Sequence, residues 1–342
     1  RRIFVDSINV LVIAPIFNES LPVATDEILR QISEVSPRLN VIDGSIPAMA
    51  EFRNNPDGKQ EFNTLLAEAE IIYGLFLPRD MLARAPRLKW VQTMSAGVDR
   101  FAGTDIWDSP VILTGVSGIH AIPIGEFVLA FMLMFAKQAP LFVRSQLKHE
   151  WARFMPTVLR GKTVGIVGLG NIGREVARLS KAFGMKVIAT RRSTGKSSRA
   201  RDVDKLLPTS RLKELLGESD YVVVATPLTP ETTGLIGADE LRAMKPSAYI
   251  INIGRGGIID EAALARALDE KQIAGAGLDV TATEPLPPDS PLWDYDNVIL
   301  SPHVSGGMED YMQRATDLFC ENLDRYLNGK KLINIVDKKR GY

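Results

Sequence analysis

Glycines at 168, 170 and 173 give the spacing G-x-G-x-x-G, with Asn171 and Ile172 inside it. They follow the apolar run TVGIVG (163–168) and open the stretch NIGREVARLSKAFG. This strand–turn–helix context is the one in which such a spacing holds a pyrophosphate. Gly168 permits the tight turn, Gly170 lets backbone approach a phosphate, and Gly173 lets the helix press on the strand. The phosphates then meet the helix N-terminus, where unpaired N–H groups and the dipole favour anions. The next strand closes on Arg191, Arg192 and Ser193. A carboxylate at that place would hold the ribose hydroxyls of NAD, whereas guanidinium groups form forked bonds to phosphate. The pattern predicts NADP as the preferred cofactor, with NAD used at lower efficiency.

Three later stretches end strands of the same series. AYIINI (248–253) runs into Gly254-Arg255-Gly256-Gly257, with Asp260 placed to cap the next helix. AGAGLDV (274–280) precedes Glu284-Pro285, and NVILS (297–301) precedes Pro302-His303. Each alone has an ordinary structural explanation. Together they bring one Arg, one Glu and one His to the edge where open α/β sheets bind ligands. That set suits reduction of a ketoacid. Arg255 would grip the carboxylate and polarise the carbonyl, His303 would donate the proton, and Glu284 would keep the imidazole charged and oriented.

The elements that must position these residues alternate short apolar runs with helical patterns, which predicts an α/β fold with parallel sheets. In the first third the expected strands are 9–14, 40–43, 71–75, 89–94 and 111–115, with helices near 22–34 and 60–69. The stretch IPIGEFVLAFMLMFAKQ reads as one long helix, apolar on most faces and so buried between layers. Six further strands follow, at 163–168, 186–190, 221–226, 248–253, 274–280 and 297–301. An amphipathic helix closes the chain from about 308 to 327. The layout predicts a Rossmann-type doubly wound sheet (120–305) inserted into a discontinuous flavodoxin-like α/β substrate domain (1–119 plus 306–342). The two are expected to close on the cofactor about hinges near 119–123 and 303–308.

Composition narrows the function classes. The chain has 342 residues with equal numbers of acidic and basic side chains, so no global charge points to nucleic acid or an anionic membrane. The most apolar run, VLAFMLMFA, is about half of a bilayer span. A single cysteine, Cys320, fits a reducing compartment. No signal peptide is visible, although the chain opens on Arg1 rather than Met. A cytoplasmic enzyme is expected, with no metal centre, no nucleic-acid partner and no membrane partner.

The ordered motifs SAGVDRF (95–101), GEFVLAFML (125–133), GIVGLGNIGREVARLSKAFGMKV (165–187), TPLTPETTGLI (226–236), INIGRGGIIDEAALARAL (251–268), GLDVTATEPL (277–286) and SPHVSGG (301–307) span nearly the whole chain. In this the chain resembles the D-isomer-specific 2-hydroxyacid dehydrogenases. The resemblance implies Arg255 as substrate-binding arginine, Glu284 as the acid orienting the histidine, and His303 as acid/base. It implies a carboxylate-cradling loop at Ser95, Ala96, Gly97 and Val98, acting through backbone N–H groups. It adds Thr226, Pro227, Thr232 and Ile253 to the cofactor site and gives Asp279 to the nicotinamide carboxamide. It also implies a homodimer built in part through the segment holding His149, Glu150 and Trp151. The chain departs from the family pattern in Ile124-Gly125-Glu126, where V-A-E is usual, and in Arg191, where an acid is usual. With no room read after residue 330, the regulatory domain of long phosphoglycerate dehydrogenases is not expected.

The implied substrate is a small 2-ketoacid or D-2-hydroxy acid. Leu75-Phe76-Leu77-Pro78 and Met94 suggest an apolar lining suited to larger ketoacids than glyoxylate, unless they are core residues. Two alternatives share the frame: a dehydrogenase of another small anion such as phosphite, and a cofactor-sensing protein of the corepressor kind.

Overall fold

Strand sequences such as INVLVI and YVVV carry apolar residues on both faces, as strands covered on both sides must. A computed structural model describes residues 7–14, 26–75, 77–192 and 199–341. The chain divides into two compact units, one of Arg1–Ile119 with Glu309–Tyr342 and one of His120–Met308.

The first unit begins with β1 (Ile8–Ile13), α1 (Asp26–Glu34), β2 (Leu39–Asp43), α2 (Ser45–Phe52), α3 (Pro56–Glu68), β3 (Ile71–Gly74), α4 (Met81–Arg84), β4 (Trp90–Thr93) and β5 (Ile112–Thr114). The strands form one sheet in the order β2-β1-β3-β4-β5, every pair parallel. This is the flavodoxin-like order. The sequence does not predict α2. It also places the start of α3 too late: Asn55 caps that helix by accepting from the N–H groups of Asp57 and Gly58, and Pro56 fills the first turn. Residues 22–25 of the expected first helix lie outside the described residues.

The second unit opens with α5 (Ala121–Ala136) and α6 (Ala139–Leu147). There follow β6 (Thr163–Val167), α7 (Asn171–Ala182), β7 (Lys186–Arg191), β8 (Lys205–Pro208), α8 (Leu212–Glu218), β9 (Tyr221–Val224), α9 (Ala238–Arg242), β10 (Tyr249–Asn252), α10 (Glu261–Asp269), β11 (Gly275–Leu278) and β12 (Val298–Leu300). The sheet runs β12-β11-β10-β9-β6-β7-β8, again all parallel. It is a doubly wound sheet whose order reverses between β6 and β9. It has seven strands where the sequence predicts six. The extra one, β8, is the four-residue KLLP at the sheet edge, too short and too close to a proline to stand out from the basic loop before it.

Alternation along the strands sends Val164, Ile166, Val187 and Val223 to one face, under α5 and α7. Val222, Ile250 and Ala276 go to the other, under α8, α9 and α10. α5 buries Val128, Phe131, Met132 and Phe135, while its Ile122 is exposed. Within its unit it is therefore a one-sided helix rather than one buried all round. Each fully buried side chain of that size contributes roughly 1.5–3 kcal/mol. Gly125 explains the departure from alanine: a Cβ there would stand 2.7 Å from Glu175 Cγ and 3.2 Å from Leu179 Cδ1 on α7. Among the described residues no single helix is long and apolar enough to cross a membrane, and α5 and α6 are bent by 67° from each other.

The chain then returns to the first unit as α11 (Tyr311–Leu327). Phe319 and Leu323 fill the sheet face formed by Val10, Val12, Ile71 and Tyr73. Phe319 stacks on Tyr73 at 4.2 Å, and Tyr326 stacks on Trp90 at 5.4 Å. The buried Asn322 donates to Gln92 Oε1 at 2.8 Å and to the carbonyl of Ile333 at 3.2 Å.

Candidate active site

At the glycine turn the backbone does what the spacing predicts. Gly168 has φ of +102°, and a Cβ on it would lie 2.8 Å from the carbonyl of Ala225. A Cβ on Gly173 would lie 2.2 Å from the carbonyl of Gly168, so only glycine lets α7 start this close to β6. Gly170 is the N-cap of α7, and a Cβ there would meet nothing within 4 Å. Open space thus stands above the amide groups of Asn171 and Ile172, where a phosphate would sit. Beside it, Thr226 Oγ1 is buried and, among the described residues, has no hydrogen-bond partner. A turn with room at Gly170 and an orphaned hydroxyl on one edge fit a dinucleotide.

The remaining cofactor residues divide by how fully they are already engaged. Arg191 ends β7, opposite Pro208 of β8, and Arg192 follows it, exposed. The Glu231 carboxyl is held below its ordinary value first by the Thr229 hydroxyl, with the Arg192 charge a further contributor. Arg192 and the turn after β9 therefore share an edge. Ser193 lies outside the described residues. Thr232 closes its own turn, donating to the carbonyl of Pro227 at 2.7 Å and accepting from the Thr229 amide at 2.7 Å. Ile253 is buried in the core.

On the same sheet, the ends of β10, β11 and β12 meet. Asn252 fixes the turn after β10: its amide donates to the carbonyl of Arg255 at 3.0 Å, and its oxygen accepts from Gly254 N–H at 3.1 Å. Arg255 is extended, and its Nη1 donates to the carbonyl of Gly254 at 2.9 Å. Next to it, a Cβ on Gly256 would fall 1.9 Å from the backbone of Thr281. Glycine there lets the Arg255 turn touch the segment that carries Glu284. Glu284 Oε1 accepts from Thr281 N–H at 3.1 Å, and its Oε2 lies 2.7 Å from His303 Nδ1. The expected Glu–His pair is formed. Nδ1 is engaged with the carboxylate, and Nε2 is the nitrogen left to exchange a proton.

His303 sits at φ +54°, a region costly for a residue with a side chain. Its surroundings hold it there. Its N–H donates to the carbonyls of Asp279 and Ser301 at 2.9 and 3.0 Å. The buried carboxylate of Asp279 accepts from Ser301 Oγ at 2.6 Å and from the amides of Val304 and Ser305 at 2.9 and 3.1 Å, and from the Ser305 hydroxyl. The sequence gives Asp279 a nicotinamide contact through the resemblance. In the structure its two oxygens clamp the turn that bears His303.

One residue the sequence reading passed over joins this group. His120 caps α5, and a Cβ on Gly306 would stand 2.8 Å from its Cδ2. Burial, and after it the Arg255 charge, push the His120 pKa down to about 4. Its signal in the sequence was only its rarity: three histidines, one already assigned.

In the first unit, Ser95–Val98 follows β4. Ser95 N–H is engaged by Thr93 Oγ1 at 3.3 Å, and Ser95 Oγ donates to the carbonyl of Gly97 at 2.7 Å. The amides of Ala96, Gly97 and Val98 have no hydrogen-bond partner among the described residues. Three adjacent unpaired N–H groups form a nest for an anion. Met94, expected to line a substrate pocket, is instead fully buried in the core, and its carbonyl accepts from the Tyr311 hydroxyl. Leu75 and Leu77 also pack on cores of this unit, and Phe76 lies outside the described residues. Among the described residues no cluster of His, Cys, Asp or Glu is placed to hold a metal ion.

Known proteins share the sequence pattern and the fold. The family described as D-isomer specific 2-hydroxyacid dehydrogenase, NAD binding domain, matches residues 129–305, just over half of the chain. The glyoxylate reductase of Aeropyrum pernix is 38% identical over 295 residues, covering 81% of this chain and 87% of its own. A D-isomer specific 2-hydroxyacid dehydrogenase from Xanthobacter autotrophicus Py2, solved in complex with NADPH and MES, superposes with a TM-score of 0.80 at 29% identity, covering 98% of this chain and 100% of that one. An NADPH-dependent glyoxylate/hydroxypyruvate reductase from Sinorhizobium meliloti, solved with NADP and sulfate, gives 0.80 and 29% with the same coverage. With the ordered motifs and the Glu284–His303 pair, these likenesses make the chain a member of the D-isomer specific 2-hydroxyacid dehydrogenase family, an oxidoreductase of hydroxyacid and ketoacid pairs.

Proposed function

We propose that the protein is an NADPH-preferring reductase of small 2-ketoacids, also able to oxidise D-2-hydroxy acids in reverse. The observation that carries this reading is the 2.7 Å contact between Glu284 and His303 Nδ1, beside Arg255 on one sheet edge with a dinucleotide turn. The bound nicotinamide supplies or accepts the hydride. His303 Nε2 gives a proton to the carbonyl oxygen as it becomes a hydroxyl, and Glu284 stabilises the imidazolium and fixes the ring. Arg255 binds the carboxylate and polarises the carbonyl. The Ala96–Val98 amides of the first unit form a nest suited to a carboxylate. Reduction consumes a proton through His303, and oxidation returns one to it.

Small ketoacids, glyoxylate and hydroxypyruvate, are preferred here over large ones. Met94 is a core residue, Leu75 and Leu77 pack against the cores, and the relatives carry these substrates in their names. Arg191 and Arg192 hold the 2′-phosphate, with Asn171, Ile172 and Thr226 on the rest of the dinucleotide. One charge-assisted contact contributes about 1.5–3 kcal/mol, which gives NADPH roughly a tenfold advantage or more in kcat/KM. The chain forms a homodimer through α6 and the segment after it, where Phe142, Leu147, Trp151 and Met155 are 46%, 78%, 92% and 85% exposed. A cytoplasmic setting suits Cys320, whose thiol burial pushes up to about 12 and out of ready oxidation.

The test is turnover with NADPH and NADH across glyoxylate, hydroxypyruvate, pyruvate and phenylpyruvate. NADPH with glyoxylate or hydroxypyruvate should give the highest kcat/KM. Arg191→Asp should cut NADPH efficiency and raise that of NADH, with the ketoacid KM little changed. A parent enzyme that prefers NADH would remove the phosphate clamp from this reading, and no turnover with any ketoacid would remove the reaction.

A further inference from the structure

The Ser95–Val98 nest is backed by a cation. Arg100 Nη2 donates to Thr93 Oγ1 at 2.9 Å, and the same oxygen accepts from Ser95 N–H. Holding two incoming donors, the Thr93 hydroxyl turns its own hydrogen to Ser95 Oγ, 3.1 Å away. Ser95 Oγ in turn donates to the carbonyl of Gly97. The result is one aligned chain: Arg100 to Thr93 to Ser95 to the Gly97 carbonyl. Thr93 is fully buried, so the chain is screened from water at its middle. It ties the Gly97 carbonyl to Ser95 within the loop that carries the three unpaired amides.

The guanidinium is only partly used. Nη2 is taken by Thr93 and its plane lies 5.4 Å from the Phe101 ring, while Nε and Nη1 have no hydrogen-bond partner among the described residues. Among those residues no carboxylate forms an ion pair with it. Partial desolvation, only in part offset by Asp99 and Tyr311, draws its pKa down from the ordinary arginine value. A cation so placed, in the same loop as three N–H groups without a partner among the described residues, raises the potential where an anion would rest.

We propose that Arg100 is a positioning residue for the substrate carboxylate, fixing the Ala96–Val98 amides through Thr93 and Ser95 and adding a positive charge behind them. This rests on the ketoacid reading above. It makes the nest selective for carboxylates over neutral carbonyl compounds, with no base-pair or phosphate recognition involved.

The holoenzyme can test this with glyoxylate kinetics and with calorimetric titration of oxamate, a dead-end ketoacid analogue, into the NADPH-saturated protein. Arg100→Met should raise the glyoxylate KM and the oxamate Kd together by about tenfold, the equivalent of about 1.4 kcal/mol. The rise in KM should exceed any fall in kcat, and the KM for NADPH should not move. Arg100→Lys, which keeps the charge but not the fork, should recover part of the loss. Thr93→Val, which breaks the relay and keeps the charge, should give a smaller rise and serves as the second variant if Arg100→Met does not fold. Unchanged oxamate affinity in either Arg100→Met or Thr93→Val would overturn the proposal, as would a loss confined to kcat. If no ketoacid is turned over but oxamate binding still depends on Arg100, the reaction fails and the nest stands.

Discussion

Two stretches along the carboxyl edge of the seven-stranded sheet, a closed edge and an open edge, are built on opposite principles. The turn that bears His303 is closed: Asp279, Ser301, Val304, Ser305 and Glu284 satisfy one another, and a histidine is held at a backbone angle it would not choose. The edge that would take the dinucleotide is open, with empty space at Gly170 and a buried hydroxyl on Thr226 lacking a partner. Chemistry that depends on tenths of an ångström is prebuilt, because misplacement of reacting groups is costly. Binding that depends on many contacts is left for the ligand to complete, and the unpaired hydroxyl is destabilising until it does.

Breaking the closed edge should have the largest effects. His303→Ala should lower kcat in the reducing direction by about 10²–10⁴-fold, the usual contribution of a positioned proton donor, at every pH. Steady-state rates that stay within a few-fold of the parent would mean the turn is built for something else. Next, Asp279→Ala leaves two amides and two hydroxyls unpaired in a buried turn. It should cost about 3 kcal/mol in denaturant unfolding and also reduce kcat, while NADPH affinity changes little. A loss of NADPH affinity with normal stability would instead support the nicotinamide contact that the resemblance implies.

His120 sharpens the comparison from its border with the closed edge. Its pKa is depressed from 6.5 to about 4, so between those values the unfolded chain binds a proton that the folded chain excludes. The stability this gives is present above pH 6.5 and is lost as pH falls towards 4. It is worth on the order of 2 kcal/mol after allowing for partial exposure. His120→Asn should therefore flatten the fall in Tm between pH 7 and pH 4.5. An identical fall in both proteins would show that other groups govern acid unfolding. The smallest effect belongs to the open edge. Thr226→Val keeps the shape and removes the orphaned hydroxyl, so the free protein should gain up to about 1 kcal/mol while NADPH binds more weakly. Stabilisation without weaker binding would mean the hydroxyl does not meet the cofactor.

What the sequence made legible was whatever repeats along the chain. The strand runs, the G-x-G-x-x-G turn and the Asp260 cap, which accepts from Ala263 N–H at 3.0 Å, need only local spacing to be read. The Glu284–His303 contact came within reach because both residues end strands of one parallel sheet. What stayed hidden depends on contacts between segments far apart in sequence. Asp279 reads as a ligand residue only through the resemblance, and nothing local shows that four donors, two amides and two hydroxyls, converge on it. Gly125 looked like an unexplained departure until α7 proved to lie against it. Arg100 stood inside a quoted motif, yet its bond to Thr93 requires the loop to fold back seven residues. Met94 was left open between pocket and core for the converse reason: a strand end points its side chain to one of two faces, and its neighbours did not say which.

The return of α11 to the first unit carries a consequence for how the chain is made. The face of Val10, Val12, Tyr73 and Trp90 is covered by Phe319 and Leu323, residues that leave the ribosome after the whole of His120–Met308. Some 190 residues separate the two, roughly ten to forty seconds of synthesis at ordinary rates. During that interval the five-stranded sheet has no Phe319 to stack on Tyr73, whereas the inserted unit already has every residue of its own core. The unit begun first is the one finished last.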